Sequence, residues 1–249
     1  MKKLLLLSAL FIFACSSDDS SDTNDNNDNN NSELLNCDGN PIPTIVYGTQ
    51  EWTVENACHI TYRDGTPIPQ VTDDSEWANL TTGAWCYYNN DPTKPRLYNW
   101  FAVAGIHDTN PNTPNKEFVQ EGWHVPTDAE WTTLEEYLIA NSYNYDGTTT
   151  ENKIAKSMAS ITGWNSSAGT GAIGNDQSLN NDSEFNAVPE GFRYYNDSFV
   201  NEGYDAIFWS STEDNSSDAW YRSLGTNYSV LAWGVYNKQT GFSLRLEKE

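Results

Sequence analysis

The sequence predicts an α+β domain of short antiparallel strands, two main helices and long loops over residues 34–249. Three observations carry that expectation. Aromatic residues recur at short intervals between Gly, Asn, Asp and Pro, the punctuation of strands and turns. One stretch, 127–141, combines a helix start signal with a helical apolar stripe. No repeat and no linker composition follows residue 40, so the segment reads as one domain.

In chain order, residues 44–47 (Thr-Ile-Val-Tyr) and 50–54 read as the first strands. Asp64-Gly65 and Asn89-Asn90-Asp91-Pro92 are turn chemistry. Residues 73–80 read as a short helix opened by Asp73. Residues 127–141 are the main helix: Thr127 and Glu130 form a capping box, each side chain meeting a backbone N–H that the helix leaves unpaired. Trp131, Leu134 and Leu138 then define its buried stripe. Residues 152–159 read as a weak third helix. Residues 219–224, 228–236 and 241–246 read as a terminal antiparallel meander, with Asn237-Lys238-Gln239 as its last bend.

Charge divides along the chain. There are 35 acids against 13 bases, for a net charge of −22. Lys2 and Lys3 contribute +2, residues 15–33 contribute −6, and residues 34–249 carry −18. Phosphate-binding surfaces need Lys and Arg to release counterions, so nucleic acid is excluded as a partner. A cation or a neutral glycan suits this surface better than an anionic polymer. Ten Trp, 14 Tyr and 9 Phe argue against a disordered acidic chain.

The N-terminus reads as an address. Residues 1–14 hold two lysines and then an apolar run too short to cross a bilayer, which fits a signal peptide. Ile12-Phe13-Ala14-Cys15 resembles a bacterial lipobox, with Phe13 bulkier than usual, and makes Cys15 the lipidated residue. Several acyl chains would anchor it stably to a membrane. Residues 15–33 are then a disordered Asp/Asn/Ser tether with a reach of roughly 20–25 Å. Cys15-Ser16-Ser17-Asp18-Asp19 is similar to the acidic export signal of Bacteroidetes surface lipoproteins. That similarity implies the outer leaflet of the bacterial outer membrane; the alternative is a plain spacer on a periplasmic lipoprotein.

Seven ordered segments resemble the Fibrobacter succinogenes major paralogous domain of bacterial surface lipoproteins. They include Tyr47-Gly48-Thr49-Gln50-Glu51-Trp52, Leu97-Tyr98-Asn99-Trp100-Phe101-Ala102-Val103 and Gly122-Trp123-His124-Val125-Pro126-Thr127-Asp128-Ala129-Glu130-Trp131. Phe208-Trp209-Ser210-Ser211-Thr212-Glu213 and Gly241-Phe242-Ser243-Leu244-Arg245-Leu246 follow, and residues 62–69 and 83–91 complete the set. The resemblance implies a C-type-lectin-like fold, with a long loop region mounted on an antiparallel sheet. It is shared with the formylglycine-generating enzymes, which have the same Pro-Thr-x-Ala-Glu-Trp helix start. It implies no defined activity. Two cysteines typical of the family are absent here, where Val119-Gln120-Glu121 and Leu246 stand.

With Cys15 lipidated, Cys37, Cys58 and Cys86 remain. An oxidising compartment favours one disulfide and one buried thiol, and the residues alone allow any pairing. The resemblance implies a lone Cys86, hence Cys37 with Cys58. No chain segment after Cys86 supplies the cysteine pair that the formylglycine-generating enzymes use, which argues against an enzyme. His59, His107 and His124 are isolated, and His124 reads as structural. The literal Gly169-x-Gly171-x-x-Gly174 lacks a preceding strand and a following amphipathic helix, so it reads as a flexible loop. Residues 108–112, 181–184 and 213–214 are oxygen-rich loops. No cofactor motif is present; the resemblance implies that such loops can bind calcium, and the alternative is solvated acidic loops.

The aromatic C-terminal half supplies the candidate ligand contacts: Tyr194, Tyr195, Arg222, Tyr228, Trp233 and Tyr236. Flat rings beside polar groups suit a sugar or peptide surface, and Tyr228, Trp233 and Tyr236 are expected to be exposed. The expected function is a non-catalytic binding or adhesion module for a glycan or protein ligand. The alternatives are a structural or envelope-assembly lipoprotein and a divergent hydrolase.

Overall fold

The computed structural model describes residues 34–196 and 198–249. The expected signal peptide, the expected lipidation at Cys15 and the expected tether lie outside the described residues. Eleven short strands and four helices are present among those described. They are β1 (Thr44–Tyr47), β2 (Gln50–Thr53), α1 (Asp74–Ala78), β3 (Trp85–Tyr87), β4 (Arg96–Tyr98), α2 (Trp100–Val103), β5 (Trp123–His124), α3 (Asp128–Ala140) and α4 (Ala155–Met158). β6 (Phe192–Arg193), β7 (Phe199–Val200), β8 (Asp205–Glu213), β9 (Asp218–Gly225), β10 (Ala232–Asn237) and β11 (Glu247–Lys248) follow. The class is α+β, built mostly from short antiparallel strands. No helix among the described residues is long and apolar enough to cross a membrane.

The chain closes on itself. A four-stranded antiparallel sheet has the order β1-β2-β11-β5, so the last strand lies between β2 and β5. Glu247 faces Trp52 on one side and His124 on the other. A second sheet has the order β10-β9-β8, and β3-β4 and β6-β7 form two-stranded pairs.

The predicted meander is corrected in two places. Its third strand is β8, which precedes β9, and not residues 241–246. That segment instead threads the interior, bridging Tyr98, Arg193 and Phe208 from Phe242, Gly241 and Ser243. Phe242, Leu244, Leu246 and Arg245 are all buried. A strand covered on both faces loses the polar alternation that marks an edge position. The second strand also starts late, at Ala232, because residues 226–231 form the connection from β9.

Helix starts match their sequence signals. Asp73 accepts from the Glu76 N–H at 2.8 Å and opens α1. Thr127 opens α3 with both halves of the capping box formed. Trp131, Leu134 and Leu138 are fully buried. Trp131 packs 4.7 Å from Trp52 and 5.7 Å from Phe208, tying α3 to the sheets. Burying each such ring contributes on the order of 2–3 kcal/mol. The predicted 152–159 helix shrinks to the single turn α4. α2 has no expected counterpart: Asn99 caps it, but four residues are too few to show a period.

Three arginines are buried as structural pins. Arg193 pairs with Asp74 at 2.7 Å and lies over the Trp77 ring. Arg245 donates to the Thr53 and Asn186 carbonyls. Arg222 pairs with Asp128 at the first turn of α3. Cys37 and Cys58 are joined as a disulfide, with Cα atoms 5.6 Å apart. Cys86 is a buried free thiol, and burial pushes its pKa up to about 12.

Candidate functional site

The six predicted contact residues do not form one surface. Side chains alternate along strands, and the β9–β10 register places Trp233 opposite Arg222 and Tyr236 opposite Ala219. Trp233 and Arg222 therefore share one face, and Tyr236 lies on the other. Tyr194 and Tyr195 join Tyr236: the Tyr194 ring is 4.9 Å from Tyr195 and 5.9 Å from Tyr236. Tyr221 completes this patch over Phe192 and Phe242. Burial and the neighbouring Tyr194 hydroxyl raise the Tyr236 pKa, so its hydroxyl stays protonated.

Trp233 is 60% exposed and stacks on Trp220 at 5.5 Å. Tyr228 is 65% exposed in the β9–β10 connection. Tyr236 is half-buried. Arg222 is corrected: at 2% exposure it faces no ligand. Its guanidinium donates to Asp128, to the Asp128 carbonyl at 3.2 Å and to Thr132 at 3.0 Å. A buried arginine needs acceptors for its charge, and α3 supplies them to both terminal nitrogens, while Nε is buried without a partner.

A cavity lies elsewhere, between α3 and β6. It is an open cleft of about 520 Å³ whose lining includes Tyr143, Tyr145, Lys156, Thr170, Ser178 and Asp182. Its floor is rigid. Lys156 of α4 is buried and donates to the Asn175 and Asp176 carbonyls and to Asn180 Oδ1 at 2.8 Å. Burial lowers the Lys156 pKa, and Asp176 opposes that shift. Asn144 spends its amide on the carbonyls of Thr148, Thr150 and Glu151, holding the 144–153 loop closed.

Gly171 gives the rim its shape. With φ at +75°, a Cβ there would lie 2.2 Å from the Tyr145 ring, so only glycine lets that ring lie on the backbone. The 169–174 loop is corrected from flexible to structural: Ala172, Ile173 and Gly174 are buried. The Gly174 N–H donates to the Thr226 carbonyl at 2.9 Å, and Ile173 to that of Tyr228. Ser142, Asp176 and Asn181, each next in sequence to a lining residue, have positive φ, a conformation that persists where the surroundings enforce it. The exposed Tyr145 ring, the half-buried Tyr143 ring, hydroxyls and one carboxylate equip this cleft to stack on and hydrogen-bond a polyol.

The remaining candidates are dispersed. Asp108 and Asn110 spend side-chain oxygens on the N–H groups of Asn110 and Asn112. Asp182 and Glu184 face solvent, and Glu213 pairs with Lys238. Among the described residues, none of the three oxygen-rich loops gathers three acidic or histidine ligands. His59 packs on Phe118, and burial pushes its pKa down to about 4. His107 lies 3.6 Å from Asp108. His124 pairs with Glu130 at 3.0 Å across the start of α3.

No motif marks the cleft: its lining comes from α4 and from loop residues on either side of it. The available signal was the density of Asn, Asp, Gly and Ser between residues 141 and 186. The family model described as the Fibrobacter succinogenes major domain matches residues 45–248. Neither the curated proteins nor the solved structures yield a match.

Proposed function

The chain belongs to the Fibrobacter succinogenes major domain family, and from that premise we propose that it is a non-catalytic binding module for a glycan. On this reading a C-type-lectin-like domain is carried on a lipoprotein anchored through Cys15 and displayed on the outer face of the bacterial outer membrane. The observation that carries the binding role is the cleft beside Tyr143 and Tyr145. Its exposed Tyr145 ring and its hydroxyls suit a neutral sugar, with ring stacking for affinity and hydroxyl groups for orientation. The −18 charge of residues 34–249 disfavours an anionic polymer in the same place. The Tyr194–Tyr195–Tyr236 patch offers a second stacking surface.

The test is a glycan array probed with the detergent-solubilised chain. Binding to a set of neutral glycans is expected, weakened about tenfold by Tyr145→Ala, since loss of one stacking ring is worth on the order of 1 kcal/mol. An array without a bound glycan, or binding indifferent to Tyr145→Ala, sinks the reading. One observation favours a second, envelope-assembly role. β10 is the edge of its sheet and exposes Trp233 and Val235, and an exposed apolar edge strand can pair with a strand of another protein.

A further inference from the structure

We propose that His124 Nε2 and the carboxylates of Glu130 and Glu247 form a binding site for one divalent transition-metal cation of the zinc class. The site is separate from the cleft and does not depend on the glycan reading.

Two distant parts of the chain meet here, the 124–130 segment and the last strand. Register places Glu247 of β11 directly opposite His124 of β5. The capping box turns Glu130 back over the start of α3, where Thr127 donates to Glu130 Oε2 from its N–H at 2.7 Å and its hydroxyl at 2.9 Å. His124 Nε2 is then 3.0 Å from Glu130 Oε2 and 3.9 Å from Glu247 Oε2. One ligand atom from each residue lies within 4.8 Å of the other two. Four-coordinate zinc with bonds of about 2.0–2.2 Å separates its ligand atoms by roughly 3.3–3.6 Å, so small side-chain rotations bring all three into range.

A second observation points to a ligand. Glu247 is 5% exposed, and its Oε2 is buried without a hydrogen-bond partner while aimed into this cluster. A buried carboxylate oxygen without a donor is costly, and the Glu130 carboxylate across from it adds repulsion. A cation between them removes both penalties. Thr127 already orients Glu130, as outer hydrogen bonds orient metal ligands elsewhere. His124 also lines a cavity of about 250 Å³, which gives an ion an approach and room for water ligands. One imidazole nitrogen with two carboxylate oxygens suits zinc, manganese or cobalt better than calcium, which takes an all-oxygen shell.

The experiment uses the full chain, stripped with chelator, dialysed and titrated calorimetrically with Zn²⁺. One saturable equivalent is expected, with a higher melting temperature in excess Zn²⁺ because the ion binds the folded state. Co²⁺ should give the visible absorption of a four- or five-coordinate N/O site. Glu247→Gln and His124→Asn should each lose about tenfold or more in affinity. Glu130→Gln is the control for folding: glutamine still serves a capping box, so metal-free stability should hold while zinc affinity falls. Absence of a saturable equivalent overturns the proposal. So does zinc affinity unchanged in Glu130→Gln, which would place the ion elsewhere and leave these three side chains an ion-paired structural cluster. Should Glu247→Gln fail to fold, Glu130→Gln decides alone.

Discussion

Glu190 shows how burial reshapes one side chain. The residue as a whole is only half-buried, but its carboxyl is the enclosed end, accepting from Asn56 at 2.6 Å and from Ser243 at 2.9 Å. Burial pushes its pKa up to about 7, against the pull of those hydrogen bonds and of Arg245. A raised carboxyl pKa means that the fold prefers the protonated form. Its contribution to stability is therefore fully present below the ordinary value of 4.5 and is lost as pH rises through about 7. Glu190→Gln should remove this component. Urea midpoints of wild type and variant, compared at pH 5 and pH 8, should differ in pH slope, with the variant flatter. Parallel slopes would show that Glu190 is not the titrating group. Nothing in the sequence around Pro189-Glu190-Gly191 marks this residue, because its environment comes from Asn56, Ser243 and Arg245, all remote in the chain.

At the scale of elements, α3 is the best-specified part of the protein. Its cap, its stripe and its length are all local, so the sequence expresses them directly. Thr127→Ala should cost about 1 kcal/mol, read as a fall in melting temperature of about 2–4 °C for a chain of this size. No change would mean that the packing of Trp131, Leu134 and Leu138 holds the helix start without its cap. The strands were less legible. β1 and β2 stand where their composition places them, but no composition signal marks β8, and residues 241–246 bridge Tyr98, Arg193 and Phe208 in place of a meander neighbour. The run Phe208-Trp209-Ser210-Ser211-Thr212 does not alternate cleanly, because Ser210 is buried with the aromatic residues. Arg222 reads as a polar position on a strand, yet it is an interior pin for the first turn of α3. Period-two patterning gives a strand its two faces, but not which element will cover each of them.

For the whole molecule, the Cys37–Cys58 disulfide ties the start of the described chain to the segment after β2. It closes a sequence separation of 21 residues, a loop for which chain entropy gives about 3 kcal/mol. Urea unfolding with and without reductant should show a loss of that order, while Cys86 stays unreactive until the chain unfolds. A loss below about 1 kcal/mol would mean that the 37–58 loop is held by its other contacts. What the sequence determined by itself is local or compositional: the acidity of the folded part, the family, the α+β class, and the capped helix at 127–141. Caps, turns and periodicity act over a few residues, so neighbouring letters are enough to read them. Only the tertiary structure decided which residues share a site. It split Tyr236 from Trp233 onto opposite faces, built a cleft without a motif, and set Glu247 against His124 and Glu130. Those groupings depend on which faces pack together, and the spacing of residues along a chain does not encode the distance between parts of it that meet only on folding.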